Sequence, residues 1–180
     1  MAGLLLVQEG FNLFVGDDGP NNGKNLNLES VKLPDYEEMT QNFYAGGAVG
    51  EIEIGGMGLK PFTLGFKLKG WDDQTMNQFG IGSANMHPYT IYGVVRDKNG
   101  NTPQELKVIV RGRMVKVTPD EMKRGDLFGM DFAVKEILHL EHYLNKAEKY
   151  YYDWLSTTWR VNGVAQNADD VAILRINSGT

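Results

Sequence analysis

The chain has 180 residues, of which 42% are hydrophobic and 23% charged, with a formal net charge of −5. That length suits one well-cored domain spanning residues 1–180, and the composition excludes a wholly disordered chain. The mild acidity excludes the basic footprint with which proteins grip nucleic acid, although DNA can slide past such a surface without adhering.

The opening residues carry no basic stretch and only a short apolar run, so they do not read as a signal peptide. No apolar run approaches membrane-spanning length, and no membrane anchor is expected. Twenty-two glycines punctuate the apolar runs, a pattern of short strands and turns that points to a mostly-β fold. Residues 11–15 read as a strand with Phe11, Leu13 and Val15 on one face, followed by a polar loop over 17–25. Leu26, Leu28, Val31 and Leu33 suggest a strand whose phase breaks near Ser30. Pro34 ends it, because proline cannot donate to a ladder.

Residues 35–58 form an unusually long connection with two glycine pairs, Gly46-Gly47 and Gly55-Gly56. Such a loop is functional or disordered. This one keeps Tyr36, Phe43, Tyr44, Ile52 and Ile54, and so has apolar surface to bury. Within it, Glu51-Ile52-Glu53-Ile54 alternates as a strand does. Phe62, Leu64, Phe66 and Leu68 alternate with polar residues as a half-buried strand. Residues 71–79 are expected to be a helix capped by Asp72 or Asp73 and ended by Gly80, with Trp71, Met76 and Phe79 on one face.

Residues 89–96 and 104–117 read as strands, the second with Leu106, Val108, Val110 and Met114 on one face. Between them, the turn over 97–101 contains Asn99-Gly100, the favoured type I′ pair. Thr118-Pro119-Asp120-Glu121 has the form of a capping box and predicts one helical turn. Residues 127–144 are a further long strand, in which Phe132, Val134, Leu138 and Leu140 share a parity interrupted by Glu136. Segments 149–155 and 158–161 complete the strands. A final helix over 167–175 is expected, with Asn167 as cap and Val171 and Leu174 inward.

The search for chemistry returns little. Absence of cysteine excludes disulfides and thiolate metal sites and fits a reducing cytoplasm. His139 and His142 fall on opposite faces of a strand with no third ligand nearby, so no metal site is expected. The glycines at 55, 56 and 58 do not follow a strand into a helix and make no nucleotide fingerprint. No nucleophile elbow or convergent acid–base pair can be assembled, and no catalytic residue or cofactor is expected. Arg111 and Arg113 share a face opposite the apolar parity. They read as a solvated surface or as ion-pair partners for another subunit's carboxylates. The aromatic run Tyr150-Tyr151-Tyr152-Asp153-Trp154, with Trp159, lacks basic partners for nucleic acid and suits a core or a subunit interface.

Taken in order, several segments resemble the major tail tube protein of contractile-tailed bacteriophages, including the tubes of R-type bacteriocins. They are Phe11-Asn12-Leu13-Phe14-Val15-Gly16-Asp17, Leu28-Glu29-Ser30-Val31-Lys32-Leu33-Pro34, Tyr44-Ala45-Gly46-Gly47-Ala48 and Glu51-Ile52-Glu53-Ile54-Gly55. Further along come Arg111-Gly112-Arg113-Met114-Val115-Lys116-Val117, Lys123-Arg124-Gly125-Asp126, and Asp153 ahead of Val161-Asn162-Gly163-Val164. The resemblance implies a β-barrel or sandwich with a flanking short helix. Six copies would form a ring whose inner strands close into a continuous barrel, and rings would stack into a tube in the virion, assembled in the host cytoplasm. Closure of that kind removes exposed sheet edges.

The implied partners are the tail sheath, tape measure, baseplate and tail terminator proteins, with DNA passing through the lumen unbound. The 35–58 loop would contact neighbouring copies. Pro34, Tyr36, Phe43, Tyr44, Gly46, Gly47, Arg111 and Arg113 are the expected interface residues. The alternatives are the inner tube of another contractile injection system and a β-barrel that binds a small ligand.

Overall fold

A computed structural model describes residues 5–80, 86–100 and 102–176. In chain order the strands are β1 (Leu6–Val15), β2 (Leu28–Lys32), β3 (Gln41–Phe43), β4 (Ile52–Ile54) and β5 (Leu64–Lys69). A helical turn, α1 (Asp73–Met76), precedes β6 (His87–Asp97), β7 (Pro103–Pro119), β8 (Gly129–Leu144), β9 (Ala147–Asp153), β10 (Thr158–Val161) and β11 (Val164–Ala165). The helix α2 (Ala168–Ile173) follows. The mostly-β expectation holds, and every strand pairing is antiparallel.

One sheet runs in the order β1-β6-β7-β8-β9-β10-β11, and a branch leaves it at β8, where β5 pairs and carries β2 on its outer side. The N-terminal part of β8 lies against β5, with Phe66 opposite Phe132, while its C-terminal part lies against β9, with Leu140 opposite Tyr152. The change of neighbour coincides with irregular pairing. Arg111 faces His139 but Arg113 faces Lys135, and Glu136 takes a φ of 51°. A second slip lies between Met114 and Lys116. Bulges bend the strand that carries them, and here the β7–β8 ribbon bends enough for β5 to face β6 and β9. The Phe66 and Tyr89 rings lie 6.2 Å apart, and those of Phe62 and Tyr152 4.9 Å apart.

The core fills the space so enclosed. Leu13, Val15, Leu64, Leu68, Tyr89, Val108, Val110, Met130, Val134 and Leu140 are each 0% exposed. They come from the inward parity of their strands, as alternation requires. The interruption expected at Glu136 is real: β8 carries two extra residues there, Ile137 rather than Leu138 joins the buried set, and the even parity resumes at Leu140. The phase break near Ser30 is likewise real, as a slip in the β2–β5 register between Leu28 and Ser30.

Four local expectations are corrected. The helix over 71–79 is a single turn, in which Asp72 caps by accepting from the Thr75 amide. Thr75 is the buried residue, and Trp71 and Phe79 are exposed. Asp72 also takes an ion pair at 2.8 Å from Lys24, whose side chain is only 5% exposed, so the cap is tied to the 17–25 loop rather than to a longer helix.

No helical turn forms at 118–121. Pro119 stays in β7 opposite Met130, and the Asp120 carboxylate is held by Lys67 and Lys69 at 2.6 and 3.1 Å instead of capping. The turn after β6 is not type I′, since neither Asn99 nor Gly100 has the positive φ that type demands. The Asp97 carboxylate instead accepts from both their amides, and Asn101 lies outside the described residues.

At α2, the Asn167 side chain does not cap. It accepts from the Trp159 amide and donates to the Thr157 carbonyl, so it holds the helix to β10. Leu174 points out, 68% exposed.

Candidate assembly surfaces

The 35–58 connection is a built arm. Pro34 is buried at its root, after β2 has ended at Lys32. Two residues on, Tyr36 packs back onto its own chain. Its ring stacks on Tyr150 at 4.4 Å, meets Phe62 edge-on at 6.0 Å and lies 6.1 Å from Trp159. The Tyr36 hydroxyl shares a hydrogen bond of 3.0 Å with His142 Nδ1. Burial pushes the Tyr36 phenol above its ordinary pKa and the His142 imidazole below its own, so both are neutral at pH 7. The aromatic run of β9 therefore seats the arm's root.

Beyond that root the arm stiffens as a two-stranded stem. The Met39 amide donates to the Gly58 carbonyl at 2.8 Å, and the Lys60 amide to the Glu37 carbonyl at 2.7 Å. β3 then pairs with β4, with Gln41 opposite Ile54, Asn42 opposite Glu53 and Phe43 opposite Ile52. Gly58 has a φ of 102°, a left-handed conformation open to glycine at little cost.

Alternation gives this hairpin two faces: one carries Phe43, Ile52 and Ile54, the other Asn42, Glu51 and Glu53. Phe43, Tyr44, Val49, Ile52 and Ile54 are all exposed, Tyr44 at 61%. At the tip, Gly46 and Gly47 have no neighbouring atom within 4 Å of where a Cβ would stand. An isolated hairpin with a bare apolar face is a poor free structure in water and a usual docking element.

The two arginines lie elsewhere. Arg111 is exposed, and Arg113 pairs with Glu136 at 3.3 Å. Both project from the face of β7 opposite Val108, Val110 and Met114, as alternation predicts. Within one subunit, the structure does not bring the arm's carboxylates to either arginine by an ion pair among the described residues.

Sequence reasoning missed a polar constellation on the same side of the large sheet. His139 is clasped between Asp153, its cross-strand neighbour on β9, at 3.0 Å and Glu141 at 2.9 Å. These bonds, Glu141's first, raise the His139 pKa above its ordinary value against the opposing effect of burial. Tyr151 meets the same ring edge-on at 5.3 Å. Arg160 lies over Tyr151 at 3.6 Å and forks onto Glu148 at 3.1 and 2.7 Å. The available signal was the outward parity of β8, β9 and β10, which collects these charges on one face. No group of three or more His, Asp or Glu able to hold a metal ion occurs among the described residues.

The profile of the family described as phage tail tube protein FII matches residues 9–173. The chain belongs to that family. It is a structural tail tube subunit, a component of the virion tail.

Two solved structures share the fold of this tail tube protein. One is a chain of the sheath–tube complex of an extracellular contractile injection system in its extended state. It is 12% identical with a TM-score of 0.51, and the match covers 74% of this chain and 88% of that one. The other is a chain of the anti-feeding prophage baseplate, reconstructed with 6-fold symmetry. It is 9% identical with a TM-score of 0.54, covering 79% and 97% respectively. No curated protein sequence matches the chain.

Proposed function

We propose that this tail tube subunit acts by self-assembly, as six-membered rings that stack into a hollow conduit for DNA, and that it carries no catalytic activity. The observation that carries the reading is the arm. A tail tube family member holds out a hairpin with an exposed apolar face, and a second copy of the chain is the surface that would cover it. The outer edges of β1, short of the Leu13–Val15 stretch that residues 22–24 cover, and of β11 at the ends of the large sheet are further surface that ring closure would pair. Six-fold symmetry in the anti-feeding prophage baseplate supports the ring number.

The sheath, baseplate, tape measure and terminator proteins are the proposed partners, with assembly in the host cytoplasm. The sheath–tube complex that shares this fold supports the first of them. DNA is proposed to pass without being held, in keeping with the net charge of −5.

The sheath–tube complex that shares this fold comes from an extracellular contractile injection system, which favours a second reading as the inner tube of such a device. A small-ligand barrel is disfavoured, because the interior it would leave open is filled by Leu13, Val110, Met130 and Leu140.

Tyr44→Asp tests the arm. It places a charge on an exposed apolar position and leaves the core untouched. The expected outcome is a folded monomer, with an unchanged circular dichroism melt, that forms no tubes by negative-stain microscopy. Normal tubes from this variant would remove the arm from the assembly contact.

A further inference from the structure

The arm is the most one-signed segment of the chain. Residues 35–58 hold Asp35, Glu37, Glu38, Glu51 and Glu53 and no lysine or arginine. Asp35 and Glu37 are paired at the root with Lys32 and Lys60. Glu38, Glu51 and Glu53 are exposed and have no cation beside them among the described residues. Glu53 accepts from the Thr40 hydroxyl at 3.1 Å, and Glu38 from the Gly56 amide at 3.3 Å. Glu51 and Glu53 share the face of β4 turned away from Ile52 and Ile54.

A complementary stripe lies on the bent ribbon of β7 and β8. Arg111 and Arg113 project outward from β7, and Lys135 stands directly opposite Arg113. Regular alternation would turn Lys116 inward with Met114. The slip between Met114 and Lys116 instead sets Lys116 opposite Ala133 on the outer face. Arg111, Lys116 and Lys135 are exposed and make no ion pair among the described residues, while Arg113 is engaged by Glu136. Like charges gathered across a strand pair cost stability unless something answers them. The stripe from 111 to 116 spans about 16 Å at the usual strand rise, and the arm from Glu38 to the level of Glu51 about 20 Å, so the two are commensurate.

We infer that the acidic face of the β3–β4 arm of one copy docks on the Arg111–Lys116–Lys135 stripe of another. This rests on the proposed self-assembly and names the receptor for its arm. The contact is heterologous, since donor and receptor patches differ, and repeated contacts of that kind build rings or filaments rather than closed pairs.

The test is a charge swap in the full chain, under conditions in which the unaltered protein forms tubes. Glu51→Lys/Glu53→Lys and Lys116→Glu/Lys135→Glu are each expected to lower the polymerised fraction at least tenfold by sedimentation. The four substitutions combined in one chain are expected to restore it to within about twofold, because like-charge juxtaposition is removed again. Polymerisation by the lysine-reversed chain at the normal level would overturn the assigned receptor, as would failure of the combined chain when both parents fail.

The apolar face is read separately by Phe43→Asp, since Phe43 shares that face with Ile52. If that variant still blocks tubes, the arm's role stands without this receptor; if it does not, the arm reading itself falls. Should a reversed chain fail to fold by circular dichroism, Lys116→Gln/Lys135→Gln reads the same contrast, with a smaller loss expected and no loss overturning the assignment.

Discussion

A Cβ placed on Gly112 would stand 2.9 Å from the carbonyl oxygen of Lys135, across the β7–β8 pair. Cγ1 of Val134 would be equally close and Cγ1 of Ile137 at 3.1 Å. The glycine between Arg111 and Arg113 is therefore the residue that lets β8 fold its bulge against β7. Gly112→Ala is expected to cost about 1–3 kcal/mol by overpacking. Urea denaturation checks it, as a lowered midpoint with an unchanged slope. A midpoint equal to that of the unaltered protein would show that the bulge has room to shift.

Asp72→Ala removes two things together: the cap on α1 and the partner of Lys24. Lys24 is then a buried ammonium left, among the described residues, with Gln74 Oε1 at 3.0 Å. Breaking one side of a buried pair costs about 3–5 kcal/mol, more than loss of a cap alone. A double substitution, Asp72→Ala with Lys24→Met, is expected to recover much of the loss, since it no longer strands the charge. Thermal melts of the two variants decide whether the charge or the cap dominates.

The His139 clasp gives a pH dependence with a definite sign. A histidine whose folded pKa is raised binds its proton more tightly in the native chain. Its stabilising contribution is fully present below the unfolded value of about 6.5, and is lost as pH rises through the higher folded value. His142, with its pKa lowered by burial, acts oppositely: its contribution is present above about 6.5 and lost as pH falls through the lower folded value. Melts of the native chain and of His139→Gln across pH 5–9 are expected to differ most at the acid end and to converge toward the alkaline end. A constant difference across that range would show that the clasp acts as packing rather than as charge.

Much of this architecture was legible because alternation is a local property. The inward residues of β5, β7 and the N-terminal half of β8 follow directly from it. Even the breaks at Ser30 and Glu136 showed as faults in the period. What failed were signals whose meaning depends on a distant partner. Thr118-Pro119-Asp120-Glu121 has the sequence of a helix start, but Asp120 is drawn off by Lys67 and Lys69 across the sheet. Asn99-Gly100 has the sequence of a tight hairpin, but Asp97 organises a wider turn.

Among the residues expected at an interface, Tyr44, Gly46 and Gly47 are exposed. Tyr36 also anchors the arm to β9 within its own chain, a contact only the fold could reveal. The unpaired stripe of Arg111, Lys116 and Lys135 was half visible. The two arginines share a parity, but Lys116 joins them through a one-residue slip that no period announces.

The pairing of β1 with β6 has a consequence for synthesis. Leu13 finds its backbone partner at Ile91, roughly eighty residues later. At a ribosomal pace of about 5–20 residues per second, β1 spends on the order of 4–16 s without the strand that will cover it. Through that interval its apolar side, Leu13 and Val15, is held by nothing the finished fold provides from β6. A nascent tail tube chain is thus open to sticking to its fellows while it is still on the ribosome.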